Sequence, residues 1–432
     1  MSSNREQNRK NQIIDAVVFT ILLVAVSAIT LTLFHRQTLG SEAAYHSDMK
    51  AYIRQMLGTE TKYDFPYPVF FKLAWVIHLF ADPELSVALA TMLLNSLGIV
   101  ITKLALNHLT LEEFQMAFKR RKWLAGVLIS VFSVSLFFVS MLFPPKGIYL
   151  PGIKHNYLGV FSCNPFHNAT YMAARPFALL AFFWYGKLLP VYERGCSGKW
   201  KKQTANTNET VGVEAQQPYV SDYVFFSVFL LIATMTKPSF TLVLVGVAGL
   251  IMVWRMIRSK FRNFVPTLQL GLTFLPTFID LLYQYKGVFV PDVEGVEGGI
   301  GFCFGDVWSL YCDNIPLAIC LAVGFPLAVL VVNFRELKNN TLYRFSWQIY
   351  LMSFAMNFFL YEKGFRKPDF NFSWGYMYGI FFAFVGALLV LIPATARGKK
   401  PVLLALQWLA YLWHVVCGIY YFWGIFQGKM YY

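Results

Sequence analysis

Predominantly apolar runs of about 20 residues, the length at which a helix crosses a bilayer, recur along this chain between short polar breaks. They fall at roughly 13–34, 84–108, 123–143, 171–193, 221–236, 238–256, 265–284, 314–334, 346–362, 374–395 and 401–425, predicting about eleven spanning helices. Residues 221–256 form one long run broken by Thr-Lys-Pro-Ser at 236–239. A proline beside a lysine suits the tip of a helical hairpin better than the middle of a membrane helix. The first run follows a polar, basic N-terminus, is longer than a signal-peptide core and lacks a small-residue cleavage site, so it reads as a retained span.

Charge decides the place of a twelfth apolar stretch, "YPVFFKLAWVIHLFA" at 67–81, which is short and holds Lys72 and His78. Dense basic clusters occur at 119–122 (KRRK), 199–202 (KWKK), 255–262, 335–338 and 396–400. With eleven spans and the N-terminus inside, all five lie in inside loops, as the positive-inside rule demands. A crossing by 67–81 would place them all outside. That stretch is therefore expected to be a juxtamembrane or re-entrant helix. The predicted fold is all-α: a single polytopic transmembrane helical bundle over 1–432, in the plasma membrane. Its outer loops are 35–83, 144–170, 285–313 and 363–373, and 195–220 is a polar, flexible cytoplasmic loop.

Composition agrees, with 57% hydrophobic and 14% charged residues and a mean hydropathy of +0.49. The formal charge of +14 resides in the loop clusters, so it reports topology and not a nucleic-acid partner. Six cysteines show no Cys-x-x-Cys or Cys/His ligand spacing, which argues against a structural metal. Cys303 and Cys312 share one outer loop, and their pairing is left open. No phosphate-binding loop of the G-x-x-x-x-G-K-[ST] kind occurs, which excludes a pump carrying its own ATP motor. With no soluble domain, candidate chemistry is confined to the outer stretches.

The first of these is "AYHSDMKAYI", 43–52. Gly40-Ser41-Glu42 reads as a helix start and Gly58 as its stop. Tyr45, Met49, Tyr52 and Met56 recur at helical spacing and are expected to lie on the membrane surface. Asp48 sits beside that stripe, either as a solvated loop residue or as a working carboxylate. The second is "CNPFHNATYMAARPF", 163–177, where His167, Asn168 and Arg175 either cap and flank a helix or face a ligand. Asn168-Ala-Thr170 also reads as a glycosylation sequon. The third is "YEKGFRKPDFNFSWGY", 361–376. Glu362, Lys363, Arg366, Lys367 and Asp369 run against the positive-inside trend, so they either pair with one another or meet an anionic ligand. Lys237 at the hairpin tip, Asp280 and Lys72 lie toward the same side.

A first outer loop with an acid on an interfacial helix, followed by the proline-led segment Pro66-Tyr67-Pro68 and many spans with short inside loops, resembles the GT-C superfamily of integral-membrane glycosyltransferases. The likeness of architecture runs over most of the chain. It implies transfer of a sugar from a polyprenyl-phosphate carrier to an extracytoplasmic glycan, lipid or protein acceptor at the cell envelope. Asp48 matches the first-loop carboxylate and would be the base. Arg366, Lys237 and Arg175 would grip the phosphate, with His167, Asn168, Glu362 and Lys363 beside them. Many members carry an adjacent acidic pair or D-x-D there, whereas Asp48 stands between Ser47 and Met49, with Glu42 and Asp64 elsewhere in the loop. A divalent cation therefore stays open. The "NPFHNAT" and "EKGFRKPDFNF" stretches look like those of polytopic proteins of Gram-positive bacteria. The alternative is a transporter or flippase of a lipid-linked glycan, which should show midplane charges and broken helices in related halves. Neither is legible in the sequence. His414, isolated in the last run, is expected to be packed, which disfavours an acyltransferase.

Overall fold

Apolar sequence in lipid must pair its peptide groups internally, and helices do this segment by segment. The computed structural model describes residues 2–41, 43–61, 65–118, 121–142, 162–196, 219–289 and 298–429, and helices dominate it. The first is α1 (Ser2–Leu39), followed by two short helices, α2 (Met49–Met56) and α3 (Pro68–His78). Asp82 then caps α4 (Pro83–Gln115) by accepting from the Leu85 amide at 2.7 Å. Next come α5 (Trp123–Ser135), α6 (Ala169–Cys196) and the hairpin α7 (Val220–Thr236) and α8 (Ser239–Arg258), turning at Lys237-Pro238 as expected. Two bent pairs follow: α9 (Phe264–Leu272) with α10 (Leu275–Phe289), then, beyond β1 (Ile300–Phe302) and α11 (Asp306–Ser309), α12 (Ile315–Ala322) with α13 (Gly324–Val332). After α14 (Glu336–Asn339), α15 (Thr341–Phe359) runs into β2 (Leu360–Glu362), and α16 (Ser373–Arg397) and α17 (Pro401–Phe426) complete the bundle.

Five helices, α1, α4, α8, α16 and α17, are long and apolar enough to cross a membrane, and the bent pairs raise the number to seven. The chain thus has the build of a multi-pass membrane protein. α5 and α7 are shorter, and α6 and α15 are long but less apolar. α16 is the axis of the bundle. Every residue from Ser373 to Ala394 is buried, as befits a helix apolar on all faces. Its Gly379 and Gly386 lie directly against Ser353 and Ser346 of α15, the close approach that small residues permit.

Cross-contacts sort the ends. At one end Arg397 pairs with Glu113 (3.3 Å) and Glu336 (3.5 Å), and Glu193 holds Arg255 (2.6 Å) and Arg344 (2.9 Å). Among the described residues, cations from two of the five basic clusters, Arg255 and Arg397, meet acids there. At the other end β1 and β2 pair antiparallel, Ile300 opposite Glu362 and Phe302 opposite Leu360, joining two loops predicted to share a side. The Asp48 amide reaches the His167 carbonyl there (3.3 Å), and the Arg36 guanidinium the Phe426 carbonyl (3.1 Å).

Several expectations need correction. No helix starts at Ser41: α1 continues to Leu39, residue 45 adopts φ +57°, and α2 begins only after Asp48. Met49, Tyr52 and Met56 do not lie on a membrane surface but are buried against protein. The third run stops being helical at Ser135, and 139–142 is bonded to other segments, with the Ser140 amide on the His414 carbonyl (3.2 Å) and the Leu142 amide on that of Leu321 (2.9 Å). Broken helices do occur, bent by 55° between α9 and α10 and by 75° between α12 and α13. Charges also occur within helices: Lys103 of α4 meets Asp15 of α1 at 2.7 Å, with Ser130 and the Gly126 carbonyl completing the group. Cys303 and Cys312 are free thiols. Glu42, Asp64, residues 119–120, the KWKK cluster with most of 195–220, and most of 144–170 lie outside the described residues.

The break at Val323 is closed by His414, whose Nε2 accepts from the Phe325 amide (3.1 Å) while Nδ1 lies 2.6 Å from the Ser140 carbonyl. The isolated histidine is thus packed, as expected. Beside it Gly418 lets α17 rest on the non-helical backbone at Phe138, where a methyl group would overlap the carbonyl. Backbone cannot yield as a side chain can. Gly418→Ala is expected to cost about 1–3 kcal/mol, read as a lower thermal midpoint of the detergent-solubilised protein; an unchanged midpoint would contradict this packing.

Candidate functional site

Asp48 is the last residue before α2, and its side chain does not cap that helix. The carboxylate turns instead toward α6. Oδ2 accepts from the Asn168 amide at 2.6 Å and from the Tyr52 hydroxyl at 3.2 Å, one helical turn ahead. Asn168 is fixed in its own right. Its Oδ1 caps α6 by accepting from the Tyr171 amide (2.9 Å), and the turn before it closes through the Asn168 amide and the Pro165 carbonyl (3.0 Å). The same Oδ1 receives Lys237 Nζ at 3.3 Å, and Nζ also reaches Thr170 Oγ1 at 3.2 Å. Since the Tyr52 hydroxyl lies 3.2 Å from Thr170 Oγ1, two bridges connect Asp48 to Lys237.

Lys237 is 7% exposed, with its ammonium 4.8 Å from the centre of the Trp374 ring and 6.0 Å from that of Tyr67. Beyond Trp374 the chain of contacts continues. The Trp374 indole donates to Asn371 (3.1 Å), the Asn371 amide to Glu362 Oε2 (2.7 Å), and Arg366 Nε pairs with that same oxygen (3.2 Å) and with Asp369 (3.6 Å). The two Nη groups of Arg366 make no hydrogen bond among the described residues.

Burial moves the titrations of this cluster. It lifts the Asp48 carboxyl above its ordinary range, outweighing the pull of Lys237 and the hydrogen bonds from Tyr52 and Asn168. It draws Lys237 down to about 8, against Asp48 and with help from Arg366. Glu362 is raised by burial, with Arg366 opposing. His167 is lowered to about 3 by burial, His46 and Lys237, so its imidazole is neutral at physiological pH.

A cavity of about 450 Å³ opens beside this network. One wall is polar, with Lys237, Glu362, Arg366, Asn371 and Gln284; the other runs between α8 and α10 and is made of Leu242, Val243, Val245, Phe278, Leu281 and Leu282. Such a space suits a ligand with an anionic head and a hydrocarbon body. Among the described residues no group of three His, Cys, Asp or Glu side chains could hold a metal ion. Asp48 and Glu362 instead face cations and amides.

Of the residues singled out in the sequence, Lys237, Glu362 and Arg366 line the cavity, whereas Asp48 and Asn168 do not line it and join the cluster through their hydrogen bonds toward Lys237. His167 joins through its backbone and through its ring, 5.8 Å from that of Trp374. Lys363 is held by its amide on the Gly299 carbonyl (2.9 Å) and does not line the cavity. Arg175 does not snorkel outward and does not reach the cavity. It is fully buried, donates to the Cys163 carbonyl and stacks with Phe381 (4.6 Å), Tyr171 (5.1 Å) and Phe137 (5.2 Å), so it fixes the loop that presents Asn168. The sequon is buried at both Asn168 and Thr170 and leaves no room for a glycan. Sequence reasoning missed Tyr52, Thr170, Asn371 and Trp374. The spacing of Tyr52 four residues after Asp48 was the available signal. No family model matches the chain, and no match is found among curated proteins or solved structures.

Proposed function

We propose that this protein is an inverting, lipid-carrier-dependent glycosyltransferase of the GT-C kind. In this reading the chain crosses the plasma membrane eleven times from an inside N-terminus, with Asp48 on the extracytoplasmic side. The observation that carries it is the amphipathic cavity, with two cations at one wall, an apolar slot between α8 and α10 at the other, and a carboxylate joined to its lysine by two hydrogen-bonded bridges.

The chemistry needs few parts. A hydroxyl oxygen of the acceptor attacks the anomeric carbon from the face opposite the carrier phosphate, and Asp48 takes the hydroxyl proton. As the new C–O bond forms, the bond to the phosphate oxygen breaks, and the phosphate leaves with the electron pair. It departs as an anion, so cations serve it better than a general acid. Lys237 meets it as a point charge, and the free Nη edge of Arg366 suits two phosphate oxygens at once. Asn168 and Tyr52 hold the carboxylate in place, and its burial-raised basicity helps proton transfer.

The transporter reading draws support from the two bent helices, but their corners, near Thr273 and Val323, do not line the cavity. Transporter sites are built where helices break. The experiment is direct: purified protein in proteoliposomes is given polyprenyl-phosphate-linked sugars carrying a radiolabel. Release of the carrier phosphate with acceptor present supports transfer; movement of the intact donor between leaflets without consumption would replace this reading with the flippase.

The two shifted groups set a pH profile. Below the raised Asp48 value the base is protonated and inactive, and above about 8 Lys237 is neutral and its hold on phosphate is lost. kcat/KM for the donor is therefore expected to be bell-shaped, with the alkaline limb near pH 8. Lys237→Arg, if active, removes that limb; an alkaline limb unmoved by this change would assign it to another group.

A further inference from the structure

A second cleft, of about 390 Å³, shares Phe65 with the phosphate-side cavity. We infer that it binds a pyranose unit of a carbohydrate acceptor, held between the rings of Trp75 and Tyr283. The inference deepens the transferase reading and rests on it only for calling the bound sugar the acceptor.

Four observations point to a sugar. Trp75 of α3 and Tyr283 of α10 line the same cleft and are 50% and 68% exposed, so two large flat rings from different helices face one space. The C–H faces of a pyranose pack on such rings, while its edge needs hydrogen bonds. Gln55 of α2 and Lys72 of α3 supply donors and an acceptor at the same cleft, and Tyr283 adds a hydroxyl. The floor is rigid: Pro66 and Pro68 fix the backbone, and Phe65 and Phe71 stand 5.7 Å apart. The cleft also adjoins the base. Tyr52, bonded to Asp48, sets its ring edge against Phe65 (5.4 Å) and Phe71 (5.9 Å), and Phe65 is the wall common to both cavities.

A purely lipid-facing role for the two rings is the competing explanation, since Trp and Tyr gather at membrane interfaces. It requires no shared cleft and no polar partners. It also predicts that both rings contact acyl chains whether or not sugar is present.

The test uses the full-length protein in nanodiscs without donor. Soluble maltotriose, cellotriose and chitotriose are titrated as probes, read by saturation-transfer NMR and by quenching of Trp75 with brominated lipid, using Trp75→Phe as the reference for that signal. At least one probe is expected to bind and to protect Trp75. Trp75→Ala and Tyr283→Ala should each weaken it about tenfold, and Trp75→Phe, which keeps a ring, should lose less. Thermal midpoints show that each variant is folded. Absence of binding by all three probes, binding indifferent to both alanine variants, or lipid quenching unaffected by sugar would each overturn the inference. Binding in a protein that never consumes a polyprenyl-phosphate sugar would leave the sugar site standing and remove the transferase. Transfer whose acceptor KM ignores Trp75 and Tyr283 would do the reverse.

Discussion

Asp48→Asn is expected to give a protein that inserts and folds normally yet transfers sugar about 10²–10⁴-fold more slowly. Asparagine has nearly the same shape, and its Oδ1 can still accept from the Asn168 amide and the Tyr52 hydroxyl that hold the native carboxylate. What it lacks is a site for the proton. Removing the carboxylate leaves the buried Lys237 charge uncompensated, but the loss of stability should stay small because Lys237, already drawn down to about 8, can shed its proton. A second consequence separates this from simple blocking of the cavity. Asp48 is the neighbour that holds the Lys237 value up against burial. With the carboxylate gone, Lys237 should be deprotonated at lower pH, and donor binding, measured without turnover, should weaken at pH 8 more than at pH 6. An Asp48→Asn protein with full transfer would eliminate the mechanism.

How much of this was legible depended on distance along the chain. The hairpin at Lys237-Pro238, the helix led by Pro68 and the start of α4 follow from local rules, since proline and a capping aspartate act on their own neighbours. Of the basic clusters, two are placed by their contacts, Arg255 and Arg397 meeting acids opposite the site. Stretches sharing an end supplied five of the converging residues. Direction of burial was not readable. The Tyr52 stripe has the period of a membrane-surface helix, and only its contact with Phe65, Phe70 and Phe71 turns it inward. Arg175 looked available because an arginine at a helix start usually is; its partner is a backbone carbonyl twelve residues earlier, with no sequence signature. The unwound segment after Ser135 and the break at Val323 are satisfied by His414 from the last helix, a pairing across the whole bundle that no local pattern encodes.

Lys237→Met should lower kcat by about 10²–10³-fold, and its combination with Asp48→Asn carries the sharper prediction. Lys237 keeps the Asp48 carboxyl from rising further under burial, and in the proposed transferase it would also neutralise the leaving phosphate. Methionine fills similar space against Trp374 and Tyr67 but does neither, so at pH 7 the base is weakened along with the phosphate grip. Arg366 remains, paired with Glu362, which limits the loss in donor binding. Because the two residues are coupled through Asn168, Tyr52 and Thr170, the proposed mechanism predicts a double variant scarcely slower than the worse single one, the pattern of groups that work as a unit. Single effects that multiply would mean that acid and lysine serve separate steps. Arg175→Met offers the contrast: buried away from the cavity, it should lower the thermal midpoint more than it changes the affinity for a polyprenyl-phosphate sugar.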